Sequence, residues 1–142
     1  MAIQQISVFL ENRAGQLSEI TKVLAQSGID LRAIHIAETA DYGVLRIITT
    51  RPQDAASILL EHGFVLSMTP VIALSVPDQP GGLARVLEIL AEANIDIEYM
   101  YSVFGLDHGQ ACMIFRVDNL AQMEKVLAEH GISPLTGEAL GL

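Results

Sequence analysis

Two glycines stand at the opening of a helix in PDQPGGLARVL, residues 77–87, directly after the apolar run VIALSV. A glycine-rich turn between strand and helix leaves backbone N–H groups exposed, and such a start attracts anions. With Pro80 in the first helical position, where its missing N–H is harmless, Gly81 and Gly82 would follow with donors turned outward. Having no side chains, they would let a ligand approach the backbone closely. A carboxylate there gains on the order of 0.3 to 2 kcal/mol from the helix end, besides its hydrogen bonds. Asp78 would accept from an ammonium group about one residue away, or cap the helix; the residue type leaves both readings open. Carboxylate donors beside an ammonium acceptor describe a free amino acid. Phosphate is served less well, because the stretch lacks the lysine and hydroxyl residue of a P-loop and the glycine spacing of a dinucleotide turn.

Other residues with chemical potential are placed less suggestively. Tyr99 and Tyr101 fall on one side of an extended run, as an aromatic wall over a ligand or as core and interface packing. His62 and His130 each precede a glycine that ends a helix, where an imidazole satisfies terminal carbonyls; they sit far apart with no neighbouring ligand pair, so no metal site is expected. Cys112 lies in the apolar run ACMIF as a small buried hydrophobe, and a single cysteine excludes an internal disulfide and a four-thiolate metal site. It has no obvious base beside it, and no paired carboxylates flank a glycine turn, so no catalytic residue and no cofactor is expected.

Composition narrows the class further. Of the 142 residues 51% are hydrophobic and 18% charged, as suits a packed core. The formal charge of −9 repels phosphate backbones, and the eight basic residues form no stripe, which argues against nucleic-acid binding. Acidity is uneven: residues 1–68 carry five basic and seven acidic groups, residues 69–142 three and ten. No apolar run approaches the roughly eighteen residues of a membrane span, and MAIQQISVFLEN lacks the basic segment of a signal peptide; a cytoplasmic location is the expectation.

The elements that must position these residues are written twice. A shift of 66 places LENRAGQLSEI over VPDQPGGLARV, with Gly15 on Gly81, Leu17 on Leu83, Leu24 on Leu90, Asp30 on Asp96 and His35 on Tyr101. A shift of 68 then aligns LLEHG with VLAEHG. In each copy an alternating strand (Ile6, Val8, Leu10; Ile72, Leu74, Val76) is followed by a helix with apolar residues at helical spacing (Leu17, Ile20, Leu24; Leu83, Val86, Leu87, Leu90), closed by Gly28 or Asn94. DLRAIHIAE and DIEYMYSVF then turn at TADYG and LDHG into VLRIITT and QACMIFRV as hairpins. A second helix starts near Pro52, or behind Asn119 with Gln122 at capping-box spacing, and a short strand, FVLSM or ISPL, completes the unit. Strand, helix, strand, strand, helix, strand predicts an α+β chain of two tandem ferredoxin-like units, residues 1–68 and 69–142, each an antiparallel sheet packed against a pair of helices. Only Thr69 and Pro70 separate the strands that join them, which predicts a fixed pair. In the run 31–37 both alternate sets are apolar, Leu31, Ala33 and Ala37 against Ile34 and Ile36, so cover is expected on both faces, from the sister unit or a second chain.

With these turns and their followers, GIDLRAIH and NIDIEYMY, the chain resembles the ACT-domain family over nearly its whole length, twice, and is most similar to stand-alone tandem ACT proteins. The second copy keeps the family's acidic residue, proline, glycine and leucine; the first retains Asn12 and Gly15 but has Ala14 where Pro80 stands. The resemblance implies a ligand held between neighbouring ACT units. One site would join Asn12, Arg13, Ala14, Gly15, Gln16 and Leu17 to Glu98, Tyr99, Met100, Tyr101 and Ser102. The other would join Asp78, Pro80, Gly81, Gly82 and Leu83 to Ile34, Ile36 and Glu38. If a single site is occupied, the expectation is the one built on Gly81 and Gly82. It implies a non-enzymatic regulator that binds a free amino acid or related carboxylate metabolite, forms a homodimer and acts on a metabolic enzyme; the alternative is a structural module that docks such an enzyme with no working ligand site.

Overall fold

The computed structural model describes residues 2–11, 13–38, 42–103 and 109–142, with the side chain of Glu38 left out. Met1, Asn12, residues 39–41 and residues 104–108, which include most of the turns expected at TADYG and LDHG, therefore lie outside the described residues. Contacts divide the chain into an N-terminal unit, Gln4–Thr69 with Gly141–Leu142, and a C-terminal unit, Pro70–Leu140 with the N-terminal residues up to Ile3.

In the N-terminal unit β1 (Ile3–Glu11), α1 (Gln16–Gln26), β2 (Leu31–Glu38), β3 (Tyr42–Thr49), α2 (Pro52–Glu61) and the first residues of β4 (Val65–Pro77) follow one another. β3 pairs antiparallel with β1 and β2. The C-terminal unit takes the rest of β4, then α3 (Gly82–Glu92), β5 (Ile97–Val103), β6 (Gln110–Val117), α4 (Leu120–Glu129) and a 3-10 turn, Glu138–Leu140. There β6 pairs antiparallel with β4 and β5. The strands expected at FVLSM and VIALSV are thus one element. The strand expected at ISPL does not form; that segment is irregular and runs beside β4, with Leu135 N–H donating to Ala73 O at 2.8 Å. Pro134 has no N–H to offer a ladder there.

Each sheet has one face against its two helices, and the register shows why. Ile6, Val8 and Leu10 stand opposite Ile47, Leu45 and Gly43, and Ile72, Leu74 and Val76 opposite Phe115, Met113 and Ala111. Ile20, Val23 and Leu24 of α1 and Ala55, Ala56 and Leu59 of α2 close the first core; Val86 and Leu90 of α3 and Met123 and Leu127 of α4 close the second. Leu17, expected on the inner stripe of α1, is instead exposed.

The outer hairpin strands break the expected alternation. β2 shifts register between Leu31 and Ala33, and β5 shifts at the equivalent place, between Ile97 and Tyr99. One extra residue moves a side chain to the other face. Leu31 therefore joins Ile34 on the helix-side core, and Ile97 joins Met100 on the other. Ala33 and Ile48, on the opposite face of the first sheet, are also fully buried, whereas Ile36 is half exposed.

All four helices end alike. Gly28, Gly63, Asn94 and Gly131 have positive φ, and the next residue's N–H returns to a carbonyl in the last turn: Ile29 to Leu24, Phe64 to Leu59, Ile95 to Leu90, Ile132 to Leu127. His62 and His130 do bond the final turns, Nδ1 to Ile58 O at 2.8 Å and to Val126 O at 2.9 Å. Asn119 caps α4 by accepting from Gln122 N–H, but the reciprocal half of the capping box is absent: the Gln122 amide reaches Ala93 O and the Asn119 N–H donates to Asp118.

Candidate functional site

Both strand-to-helix turns place a left-handed glycine at the N-cap, Gly15 at φ 89°, ψ −12° and Gly81 at φ 88°, ψ −9°. The conformations coincide although their neighbours differ, Ala14 and Gln16 against Pro80 and Gly82. An added Cβ at either cap would meet nothing within 4 Å, so it is the backbone angle that selects glycine. Neither helix has a side-chain cap, which leaves first-turn N–H groups to other acceptors. Asp78 is therefore not the cap of α3; its N–H donates to Gly109 O at 2.9 Å and ties the turn to the start of β6.

Two expectations about this turn are corrected. The helix opens two residues later than the proline suggested, so Pro80 precedes the cap rather than holding the first helical position. Gly82 does not offer a free donor, because its N–H bonds Gln79 O at 3.1 Å. Moreover, a Cβ on Gly82 would lie 2.0 Å from Pro77 O, so the turn's own backbone requires this glycine. At the equivalent position the N-terminal unit carries Gln16.

Each turn borders clefts. In the N-terminal unit a cleft of about 190 Å³ is lined by Leu10, Glu11, Arg13, Gln16, Leu17, Ile36 and Gly43. On the other side of the turn, Phe9, Leu10, Glu11, Gln16, Tyr42, Gly63, Phe64 and Val65 line a cleft of about 320 Å³. The C-terminal unit has the counterpart of this second cleft, about 400 Å³, between residues 76, 77 and 79–82 and the end of α4, with Ser75, Arg85, Val86, His130, Gly131 and Ile132 completing its wall; Asp78 does not line it.

The structure thus gathers Arg13, Gln16, Leu17 and Ile36 around one turn and Pro80, Gly81 and Gly82 around the other. Ala14 is exposed in its turn. Ile34, Met100 and Leu83 pack towards the helix-side cores. Glu98 is paired with Arg116 Nε at 3.2 Å, Ser102 is exposed, and Tyr99 and Tyr101 stack at 6.5 Å with their planes 18° apart. The backbone of Glu38 pairs with Gly43. Sequence reasoning missed Leu10, Glu11, Gly43, Arg85 and the cleft-lining position of His130. The two-residue spacing of Glu11 and Arg13, which form a 3.3 Å ion pair, was a legible signal for the first cleft. Gln16 was named from the resemblance, but that its Oε1 is buried without a hydrogen-bond partner is something only packing reveals.

A family model for an ACT domain pair matches residues 1–141. The chain belongs to this family. Among solved structures, this ACT domain pair is similar to protein BT0572 from Bacteroides thetaiotaomicron, at 39% identity over 99% of this chain and 96% of that one, with a TM-score of 0.92. By fold it is also similar to the regulatory subunit of aspartate kinase from Thermus thermophilus in its ligand-free form, at 15% identity over 89% and 91% of the two chains and a TM-score of 0.64. The regulatory subunit of aspartate kinase from Thermus flavus is similar at 15% identity over 89% and 90%, with a TM-score of 0.58. No curated protein matches the chain. Among the described residues no helix is long and apolar enough to cross a membrane, and no three His, Cys, Asp or Glu side chains cluster as metal ligands.

Two groups, buried Cys112 and partly exposed His35, respond to their surroundings. Burial pushes the Cys112 thiol up to about 11, as an inert core residue requires. His35, which aligns with Tyr101, is held below its ordinary value of 6.5 by burial and then by Arg46, whose Nη1 lies 3.5 Å from His35 Nδ1. Arg46 is always a donor, so Nδ1 is the acceptor and Nε2 bears the hydrogen. The unfolded chain protonates His35 near pH 6.5 and the folded chain only at lower pH. The stability tied to neutral His35 is complete above that pH and is lost as pH falls towards the folded value. Urea unfolding at about pH 7.5 and about pH 5.5 should therefore show a smaller acid loss in His35→Gln than in the wild type.

Proposed function

We propose that this ACT domain pair is a non-enzymatic regulatory protein that binds a free amino acid, or a related small carboxylate metabolite, at its helix-opening turns. Occupancy is passed on as a change in unit or subunit arrangement, with a second copy and a metabolic enzyme as partners. The observation that carries this is the pair of glycine caps: one backbone conformation at Gly15 and Gly81, uncapped by side chains, each bordering a cleft. Such starts favour a carboxylate. A coupling of about 1 to 3 kcal/mol between ligand and arrangement suffices for a switch.

The experiment is calorimetric titration and thermal shift of the whole chain against a panel of amino acids and aromatic acids, with sedimentation velocity in the presence of any binder. At least one panel member should bind below millimolar concentration and alter the sedimentation profile. Silence across the panel would end the sensing proposal.

One observation favours a second reading, a docking module without ligand. Among the described residues, the exposed large hydrophobic ones, Phe9, Leu17, Ile36, Tyr42, Leu60 and Val65, all belong to the N-terminal unit. A partner captured through that surface irrespective of amino acids would favour this reading.

A further inference from the structure

Three of the exposed large hydrophobic residues converge on one place. Phe9 and Tyr42 lie on the sheet face turned away from α1 and α2: Ile6, Val8 and Leu10 take the helix side of β1, and Glu11 stands opposite Tyr42 as Phe9 stands opposite Val44. The two are 45% and 49% exposed, and with Val65, 65% exposed, they line the cleft of about 320 Å³. Exposed apolar residues scattered singly are ordinary, whereas a contiguous group marks a surface that another molecule covers.

The second unit supplies an internal control. Repeat and register put Ser75 where Phe9 stands, Gln110 where Tyr42 stands and Ser133 where Val65 stands. All three are exposed, and Ser75 Oγ donates to Gln110 Oε1 at 3.1 Å. One fold thus carries a polar set at these positions in one unit and an apolar set in the other. Folding of a unit does not require the apolar set, so its use lies outside the unit.

Charge indicates the occupant. Residues 1–68 carry five basic and seven acidic groups, a net of −2, and residues 69–142 three and ten, a net of −7. Copies that met through their C-terminal units would press like charge on like; copies that meet through this patch join nearly neutral units. The rim is self-complementary as well. Glu11 lines the cleft with Arg13 3.3 Å away, so a two-fold contact lets each copy's Glu11 pair with the Arg13 of the other.

We infer that Phe9, Tyr42 and Val65 are the surface through which two copies of this chain associate, each presenting the same patch to the other. The inference rests on the second copy named in the proposed function and deepens it by assigning the contact.

The test is sedimentation velocity of the full chain between about 1 and 100 µM. The wild type should dimerise within that range. Phe9→Ser, Tyr42→Gln and Val65→Ser together, each the residue that the C-terminal unit already carries, should weaken the dimer by about a hundredfold or more. Arg13→Glu should weaken it by about tenfold, and adding Glu11→Arg should restore it. Leu60→Gln, exposed but outside the cleft, should change nothing. Should circular dichroism show the triple variant unfolded, Tyr42→Gln alone carries the test, with a loss of about tenfold expected. A wild type that dimerises and a folded variant that dimerises equally well overturn this surface while the homodimer stands. A wild type that stays monomeric overturns both, leaves the patch to a different protein, and leaves amino-acid binding to its own titration.

Discussion

Replacing Gly82 by valine should destabilise the C-terminal unit by about 3 kcal/mol, moving its urea midpoint well below that of the wild type. The cause is local: the Cβ alone would sit 2.0 Å from Pro77 O, and a backbone carbonyl cannot rotate away as a side chain can. The turn must open, and with it go the bonds from Gly82 N–H to Gln79 O and from Gln79 N–H to Pro77 O. Gly81→Ala should cost less, about 1 to 2 kcal/mol, because space is free there and only the left-handed backbone is strained. Gln16→Val, at the position equivalent to Gly82, should change stability least. An ordering other than Gly82, Gly81, Gln16 in equilibrium unfolding would contradict this account. A double valine exchange at Gly81 and Gly82 would break the turn whether or not it binds anything, so ligand response must be tested with Gln16 and Arg13.

Phe115→Ala should lower stability by about 3 to 5 kcal/mol. Phe115 is fully buried on β6, between Ile72 of β4 and Met100 of β5, and it packs in the core closed by α3 and α4. Its counterpart in the first unit is Ile47, between Ile6 and Ile34. The two cores fill the same place differently, a ring beside a flexible methionine in one and three isoleucines in the other. Ile47→Val, which removes a single methyl group there, should cost about 1 kcal/mol. Guanidinium unfolding followed by tyrosine fluorescence measures both, and near-equal losses would show that Phe115 is not the packing centre its burial implies.

The repeat made the fold legible, because two copies of one pattern constrain each other: alternating strands, helical stripes and the four positive-φ helix ends can all be read from residue types. What escaped depended on single residues or on distant packing. The register shifts of β2 and β5 add one residue to strands of eight and seven, too little to disturb an apolar pattern that already looked two-sided. Pro80 announced a helix, but a left-handed glycine after it delayed the start by two residues. Pro134 broke a strand that the repeat alone predicted. At the site, the glycines were legible and their reasons were not: Gly81 answers to its backbone angle and Gly82 to a carbonyl five residues earlier. The buried oxygen of Gln16 is a product of the folded arrangement and has no sequence signature.

The paired register shifts have a further consequence, for life at high concentration. β2 and β5 are the outer strands of their hairpins, each with a row of backbone groups that no neighbouring strand of the sheet satisfies. A straight apolar edge of this kind templates accretion of further strands and leads to aggregation. The extra residue at Leu31 to Ala33, repeated at Ile97 to Tyr99, bends each edge and spoils the regular ladder that a stray strand would need. The same irregularity that turns Leu31 and Ile97 into the cores thus also interrupts the edges that β2 and β5 present.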